Sequence, residues 1–415
     1  MVLVVMVAGT YRPERDGVAH YVRRLRSALE KRGVSSVVLT TKEAALASRD
    51  KGVRGVVDGW GPTDLPSLLR SIVEAVRETE ASLIHIQHAA GTYGFKRAVF
   101  FLPPLLRAAR VRAPLVTTVH EYAWWEWEPR FVPKKPLEAL KTYGQRRGLW
   151  DREDGFLLTG SDAVIATNTP AENAIAGRLP QLADRLYRVP LVTNVDVTTV
   201  DRDEPRNEVR LRFGWPPDVE VVVYFGFLHP VKGIEYLLEA FREVIRKRPL
   251  ARLLIVGGAE SLALGEESGW YWNKLQRLAS HLGLADSTAM TGYVPDGEAS
   301  RLLSGADVGV LPFNQGVTLK SGALLTLLTH GLPVVATRSD PPEPDLAGGR
   351  ILRLIERRDT SVLADTLVGL LSDSSERARL GEAGRGYVET LSWPSVAERH
   401  IEVYEAVLHR RVKHS

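Results

Sequence analysis

Tyr224-Phe225-Gly226-Phe227-Leu228-His229-Pro230-Val231-Lys232-Gly233 stands near the middle of the chain and decides how the rest is read. The apolar run 221–225 stops at Gly226 and a Lys-Gly pair follows. Ile234, Leu237, Leu238, Phe241, Val244 and Ile245 then recur at helical spacing. A buried strand, a tight loop and a helix start therefore meet at one place. Helix N-termini favour anions, and Lys232 adds a positive charge beside this one. The spacing predicts a phosphate-binding loop.

Downstream, the alternation continues with apolar runs at 252–256, 289–292, 307–311 and 333–336, separated by helical stretches. Upstream, runs at 2–7, 37–40, 83–86, 115–119 and 163–167 alternate with Leu/Ala/Arg-rich helical segments in the same way. Strands that are apolar throughout and joined by helices predict parallel sheets covered on both faces. The expected fold class is α/β, with two doubly wound Rossmann-like domains facing a central cleft. The first domain is read as 1–196, joined by a C-terminal crossover helix at 393–415, and the second as 197–392. The polar, proline-broken stretch from Asp201 to Glu208 is expected to be the connection.

The 415 residues leave room for two or three domains, each able to bury a core. There are no cysteines, which excludes disulfides, thiolate metal sites and a cysteine nucleophile. Run 2–7 is too short for a membrane span and lacks the basic lead of a signal peptide, so it reads as a first buried strand. The expected location is the cytoplasm, with peripheral contact at the inner membrane face. The formal net charge of +4 is a mild basic bias that fits phosphorylated substrates or an anionic surface. No nucleic-acid-binding module pattern is present, so nucleic acid is not expected as a partner.

Several places carry candidate chemistry. Ala8-Gly9-Thr10-Tyr11-Arg12-Pro13-Glu14-Arg15-Asp16-Gly17-Val18 ends at a glycine that opens the first helix, where backbone N–H groups can meet an oxyanion. A purely structural glycine is the competing reading, and the spacing is no nicotinamide fingerprint. His120 and Glu121 follow run 115–119 and, in a parallel sheet, point into the cleft; a capping histidine is the competing reading. His85 and His88 flank run 83–86, but no third ligand is evident, so a metal is not expected. Trp124-Trp125-Glu126-Trp127 opens a stretch ending near Trp150 that mixes aromatics with Arg130, Lys134, Lys135, Lys141, Arg146 and Arg147. Aromatic faces stack on sugars or sit at a headgroup boundary, and the cations suit anionic lipid or phosphate. Late in the chain, Gly292-Tyr293-Val294-Pro295 follows one strand, and Pro312-Phe313-Asn314-Gln315-Gly316-Val317-Thr318-Leu319-Lys320-Ser321-Gly322 follows another. Gly316 and Gly322 bracket hydroxyls and a lysine at a helix start, repeating the logic of the Lys232 loop.

In this order and spacing the motifs resemble a glycosyltransferase of the GT-B fold, in the large retaining family 4, across essentially the whole chain. The landmarks are Gly226 with Lys232-Gly233, Leu253-Leu254-Ile255-Val256-Gly257-Gly258, Gly292-Tyr293-Val294, Ala306-Asp307-Val308 and Gly331-Leu332-Pro333-Val334-Val335-Ala336. The ending Leu391-Ser392-Trp393 with its following helix resembles the family too.

The resemblance implies roles. Lys232 would pair with the diphosphate of a nucleotide-sugar donor, Tyr293 and Val294 would lie beside the base, and the loop holding Gly316, Thr318, Leu319, Lys320 and Ser321 would lie under phosphates and ribose. Gly17 would approach the diphosphate from the first domain, and His120 the donor sugar. The acceptor, a glycan, a lipid-linked molecule or a small molecule, would bind mainly to the first domain, and no cofactor or metal is expected.

Two departures stand out. Phe227 occupies the place of the arginine that usually follows the glycine equivalent to Gly226, and the usual glutamate pair is replaced by Thr318 and Thr326. Lys320, with His229, is expected to supply the missing positive charge, and Thr326 to hydrogen-bond ribose. With no covalent nucleophile evident, the expected chemistry is front-face transfer with retention, in which the leaving phosphate helps deprotonate the acceptor hydroxyl. A catalytically silent relative acting as a partner subunit and a GT-B sugar epimerase are the alternatives.

Overall fold

The computed structural model describes residues 2–12, 16–48, 50–78, 83–129, 132–198, 202–259, 268–389 and 391–412. The chain forms two compact units, Met1–Leu191 with Trp393–Ser415 and Val192–Ser392. Each is built on a parallel sheet.

The strands of the first unit are β1 (Leu3–Ala8), β2 (Ser35–Thr41), β3 (Val53–Val57), β4 (Leu83–His88), β5 (Leu115–Val119), β6 (Ala163–Ala166) and β7 (Leu186–Arg188). They pair in the order β3-β2-β1-β4-β5-β6-β7. The second unit holds β8 (Glu220–Phe225), β9 (Ala251–Val256), β10 (Thr288–Met290), β11 (Val308–Leu311), β12 (Val334–Thr337) and β13 (Arg353–Ile355), in the order β10-β9-β8-β11-β12-β13. The two orders are the same winding. Each sheet reverses direction once, between β1 and β4 and between β8 and β11, and ligands of such sheets bind outside the carboxyl ends of the strands at that reversal.

The apolar runs explain the layering. β4 and β5 are buried at every position, and Val5, Val7, Leu39, Ile84 and Ile86 share one core with Leu68, Ile72 and Ala75 of helix Leu65–Glu78. A second cluster joins Val119, Val164 and Ala166 to Ile175 and Leu179. The C-terminal helix Trp393–Val412 belongs to the first unit, where Trp393 lies 5.2 Å from Tyr21 and the Tyr404 hydroxyl reaches His85.

Strands β3, β7 and β13 are not predicted by the apolar pattern. All three lie at sheet edges and carry an arginine (Arg54, Arg188, Arg353), as edges facing water do. The stretch expected to be a polar connection is corrected: Asp203–Arg212 is a helix of the second unit, while Asp201 lies outside the described residues. Pro205 stands in its first turn, where the missing N–H costs no helical hydrogen bond. Pro205 and Val209 are buried. Arg206 and Arg210 pair with Asp307 at 3.0 and 3.3 Å.

Candidate active site

In the second unit the loops after β8, β9, β10 and β11 are stitched together at the carboxyl edge. Gly226 N–H donates to Val256 O (3.0 Å) and Leu228 N–H to Gly258 O (2.9 Å). Gly257 pairs with Gly292 in an isolated bridge, which brings Tyr293 against Gly258. From the other side of the reversal, Asn314 donates its backbone N–H to Val231 O and its side-chain amide to Pro230 O, both at 2.9 Å. Gly233 has φ +67° and runs so close to Pro312 O that a Cβ would overlap it. A side chain at this position is excluded twice, by backbone conformation and by space.

The site residues lie on this frame. Lys232 is half-buried with its Nζ 3.9 Å from the centre of the Phe313 ring, a cation–π contact that restricts where the ammonium sits. Lys320 is exposed in the turn before helix Gly322–Thr329, which Ser321 caps by accepting from Leu324 N–H at 3.3 Å. Because β8 and β11 are neighbours, the two lysine-bearing loops leave the sheet side by side. Tyr293 is exposed and Val294 half-buried at the end of β10. Thr318 and Leu319 are half-buried in the turn. Gly316 is placed by backbone contact: it has φ +78° and a Cβ there would overlap Arg338 O.

Two expectations change. His229 does not supply a cation. Its Nδ1 accepts the Val231 N–H at 3.2 Å, and burial together with the nearby Lys232 holds its pKa below the ordinary imidazole value. It is a neutral ring whose Nε2 is left as the donor. Thr326 is buried, with its hydroxyl 2.8 Å from Gly322 O and 3.0 Å from Thr193 Oγ1. That hydroxyl is engaged inside the unit.

In the first unit, His120 is buried at the end of β5, with its Nε2 3.0 Å from Gln87 Oε1 and its ring edge-on to Tyr21 at 4.8 Å. Burial, and then His88 and His400, push its pKa down to about 3, so it is neutral. Gly17 starts helix Gly17–Glu30, but Asp16 caps that helix by accepting from Val18 N–H at 3.0 Å. Burial raises Asp16 to about 6, so at neutral pH a carboxylate already occupies the anion-favouring position and opposes a phosphate there. His85 and His88 sit on opposite faces of β4. His85 contacts Tyr404 and Thr118, and His88 lies 3.0 Å from Asp154 Oδ1. Among the described residues no group of three or more His, Asp or Glu is arranged for a metal ion.

The sequence matches the family described as "Glycosyl transferases group 1" over residues 219–373, and that described as "Glycosyl transferase 4-like domain" over 16–191. The chain is a GT-B group 1 glycosyltransferase. This glycosyltransferase is 26% identical over 366 residues to D-inositol 3-phosphate glycosyltransferase 2 of Catenulispora acidiphila, covering 84% of this chain and 78% of that one. Its fold is shared with sucrose-phosphate synthase from Thermosynechococcus elongatus (TM-score 0.71, 18% identity, 99% of this chain and 100% of that chain). It is shared too with Anabaena Alr3699/HepE, solved with UDP and glucose (TM-score 0.67, 16% identity, 98% and 100%).

Sequence reasoning missed four residues of this glycosyltransferase's candidate site. Asn314 joins the two lysine loops, Phe313 seats Lys232, Gln87 holds His120, and Asp16 fills the helix start beside Gly17. Each takes its role from a partner distant in the chain, or from a charge balance that spacing does not reveal. No helix among the described residues is long and apolar enough to cross a membrane.

Proposed function

We propose that this glycosyltransferase moves a sugar from a nucleoside-diphosphate sugar to an acceptor hydroxyl with retention of anomeric configuration. The observation that carries this reading is the pair of lysine loops leaving neighbouring strands at the reversal of the second sheet, with Lys232 seated on Phe313 at 3.9 Å. Breaking a sugar–phosphate bond builds negative charge on the leaving diphosphate. This reading assigns its stabilisation to Lys232, Lys320 and the start of helix Gly322–Thr329, which Ser321 caps. In this reading they do so without a metal or cofactor. A neutral His229 contributes an N–H donor. Alr3699/HepE, which shares the fold, has been solved with UDP and with UDP-glucose, which supports a nucleotide-sugar donor here.

Among the described residues this reading assigns no covalent nucleophile, so it invokes no double displacement, and retention rests on departure and attack at the same face of the sugar. His120 is neutral and hydrogen-bonded, so it orients the sugar, while the leaving phosphate takes the acceptor proton on the same face. The acceptor is a hydroxyl of a glycan, a lipid-linked molecule or a small molecule taken up by the first unit; the relatives named for D-inositol 3-phosphate put that compound in the first acceptor panel. Thr318 and Thr326, in place of two glutamates, favour a second reading as a nucleotide-binding subunit without turnover.

A thermal-shift panel of nucleoside diphosphates and their sugars tests the donor reading. A specific ligand at a hundred times its dissociation constant stabilises by about 2.7 kcal/mol. No shift with any of them overturns it. Single-turnover donor hydrolysis separates enzyme from silent subunit, and an inverted product anomer by NMR overturns retention.

A further inference from the structure

The excursion from the end of β5 to the start of β6 is anchored inward by charge and turned outward by apolar and basic groups together. On the inner side, the Tyr122 hydroxyl donates to Asp151 Oδ1 and Ala123 N–H to Glu153 Oε2, both at 2.7 Å. Lys141, only 2% exposed, bridges Glu126 and Glu138 at 3.2 and 3.0 Å, and Arg152 pairs with the same two carboxylates at 2.7 and 2.6 Å. Arg97 stacks over Trp125 at 3.6 Å and donates to the carbonyls of Glu126 and Glu153. These contacts fix the base of the excursion.

Its outer side is the anomaly. Helix Lys134–Arg146 buries only Leu137, Lys141 and Gly144. It exposes Leu140 (47%) and Tyr143 (49%), with Leu149 (48%) just beyond it, and Trp127 (41%) is exposed earlier in the excursion. Lys134, Lys135, Arg146 and Arg147 are exposed on the same helix and the turn that follows it, and no acid among the described residues pairs with any of the four. Glu138, the acid of this helix, is already taken by Lys141 and Arg152. Arg130 lies outside the described residues. A groove of about 470 Å³ runs along this helix between Glu138, Ala139, Thr142, Tyr143, Arg146 and Arg147, with the Arg147 guanidinium 4.6 Å from the Tyr143 ring centre.

A helix packed only against its own protein turns its apolar residues inward and keeps its cations away from them. Lys135, Leu140, Tyr143 and Arg146 fall on one outward arc of this helix, opposite its buried stripe, with Lys134 at the helix start and Arg147 in the turn that follows. Aliphatic side chains, aromatic rings and unpaired cations on such an arc match a headgroup boundary, where rings and aliphatics enter and cations meet phosphates. We propose that this face of the first unit docks on an anionic lipid bilayer, with Lys134, Lys135, Arg146 and Arg147 on headgroup phosphates and Leu140, Tyr143 and Leu149 in the boundary. Single-stranded nucleic acid would use the cations and rings, but it has no use for exposed Leu140 and Leu149, which stack on no base. The excursion begins directly after His120, so docking holds the surface next to the carboxyl edge of the first sheet. Docking does not depend on the donor reading, because binding to vesicles is measured without turnover.

The test is flotation of the full-length protein with vesicles of phosphatidylcholine alone and of phosphatidylcholine with about one-third phosphatidylglycerol, at low salt and at roughly 0.5 M salt. The protein is expected to float with the anionic vesicles at low salt and to be released by salt. The quadruple variant K134Q/K135Q/R146Q/R147Q is expected to lose partitioning by on the order of a hundred- to a thousandfold. The variant L140S/Y143S is expected to lose at least about tenfold at the same charge. All six positions are exposed or half-exposed, so the unfolding temperature is expected to stay put in both variants. The proposal is overturned if the unchanged protein ignores anionic vesicles, if the quadruple variant floats equally well, or if single-stranded DNA is held at least as tightly and L140S/Y143S changes neither affinity.

Discussion

His120 Nε2 lies 3.0 Å from Gln87 Oε1, and the Gln87 amide nitrogen lies 3.1 Å from His85 Nε2. An amide oxygen only accepts and an amide nitrogen only donates. His120 therefore carries its proton on Nε2 and keeps a lone pair on Nδ1, while His85 lies between the Tyr404 hydroxyl at 2.8 Å and Thr118 Oγ1 at 2.7 Å. One glutamine sets the tautomer of His120 and touches His85, and the C-terminal helix closes the series through Tyr404.

Nitrogen-15 NMR of His120 is expected to show the Nε2–H tautomer and no protonation until about pH 3, because burial, His88 and His400 depress its pKa. Gln87→Leu removes the acceptor and is expected to mix the tautomers. It should lower kcat by roughly tenfold, the cost of one unsatisfied buried donor, while donor affinity stays within about twofold. A single Nδ1–H tautomer in the unchanged protein contradicts this account.

Lys320→Ala is expected to raise the dissociation constant of the preferred nucleoside diphosphate by roughly tenfold or more, the value of one charge-assisted phosphate contact. Lys232→Ala should do the same and also release the Phe313 ring. Titration calorimetry reads both. Unchanged affinity in Lys320→Ala would assign the diphosphate to Lys232 alone.

Gly233→Ala places a Cβ against Pro312 O at φ +67°. The expected loss is about 2 kcal/mol or more in denaturant unfolding of the second unit, with nucleotide binding lost in parallel because the two lysine loops are pushed apart. Gly17→Ala meets no described residue and is expected to cost under about 1 kcal/mol.

Asp307 accepts from Arg206 and Arg210 and from Val221 N–H at 2.8 Å. Asp307→Ala leaves the buried Arg210 guanidinium without its carboxylate and is expected to destabilise by about 3 kcal/mol or more. Asp307→Asn keeps an acceptor for Val221 and should cost less. Equal unfolding midpoints for the two variants would show that the backbone contact is immaterial.

Glu153 is raised to about 7 by burial, with Asp154 adding to it. Its folded pKa is above the unfolded carboxyl value, so its contribution is fully present below about 4.5 and is lost as pH rises to about 7. Glu153→Gln removes that dependence. Relative to the variant, the unchanged protein is expected to lose melting temperature between pH 4.5 and 7 and to run level above. A difference that grows in the other direction contradicts the assignment. His120 and His400, depressed to about 3 and about 4, act with the opposite sign: their contribution is present above 6.5 and lost as pH falls through those values.

The wound sheets and the lysine loops are legible in the sequence because their signals are local. An apolar run ending at Gly226, and a glycine held at φ +67° after Lys232, need no distant partner to be recognised. Of the four edge strands only β10 is legible, from run 289–292; β3, β7 and β13 are not, since Arg54, Arg188 and Arg353 interrupt the pattern that marks a buried strand. Helix Asp203–Arg212 reads as a connection because the carboxylate that Arg206 and Arg210 seek is Asp307, far along the chain. His229 is placed correctly in the lysine loop, yet its charge is set by Lys232 and by burial, which spacing does not report. Thr326 occupies a family position, but its hydroxyl turns back to Gly322 O.

The helix Trp393–Val412 belongs to the unit that begins with β1. During synthesis, every strand of the first sheet leaves the ribosome well before the helix that covers Tyr21 and His85. The second unit, continuous from Val192 to Ser392, can be complete while the first still waits with an open flank. The chain thus finishes its middle before its beginning. A stop codon placed shortly before Trp393 would strand the older half rather than the newer one.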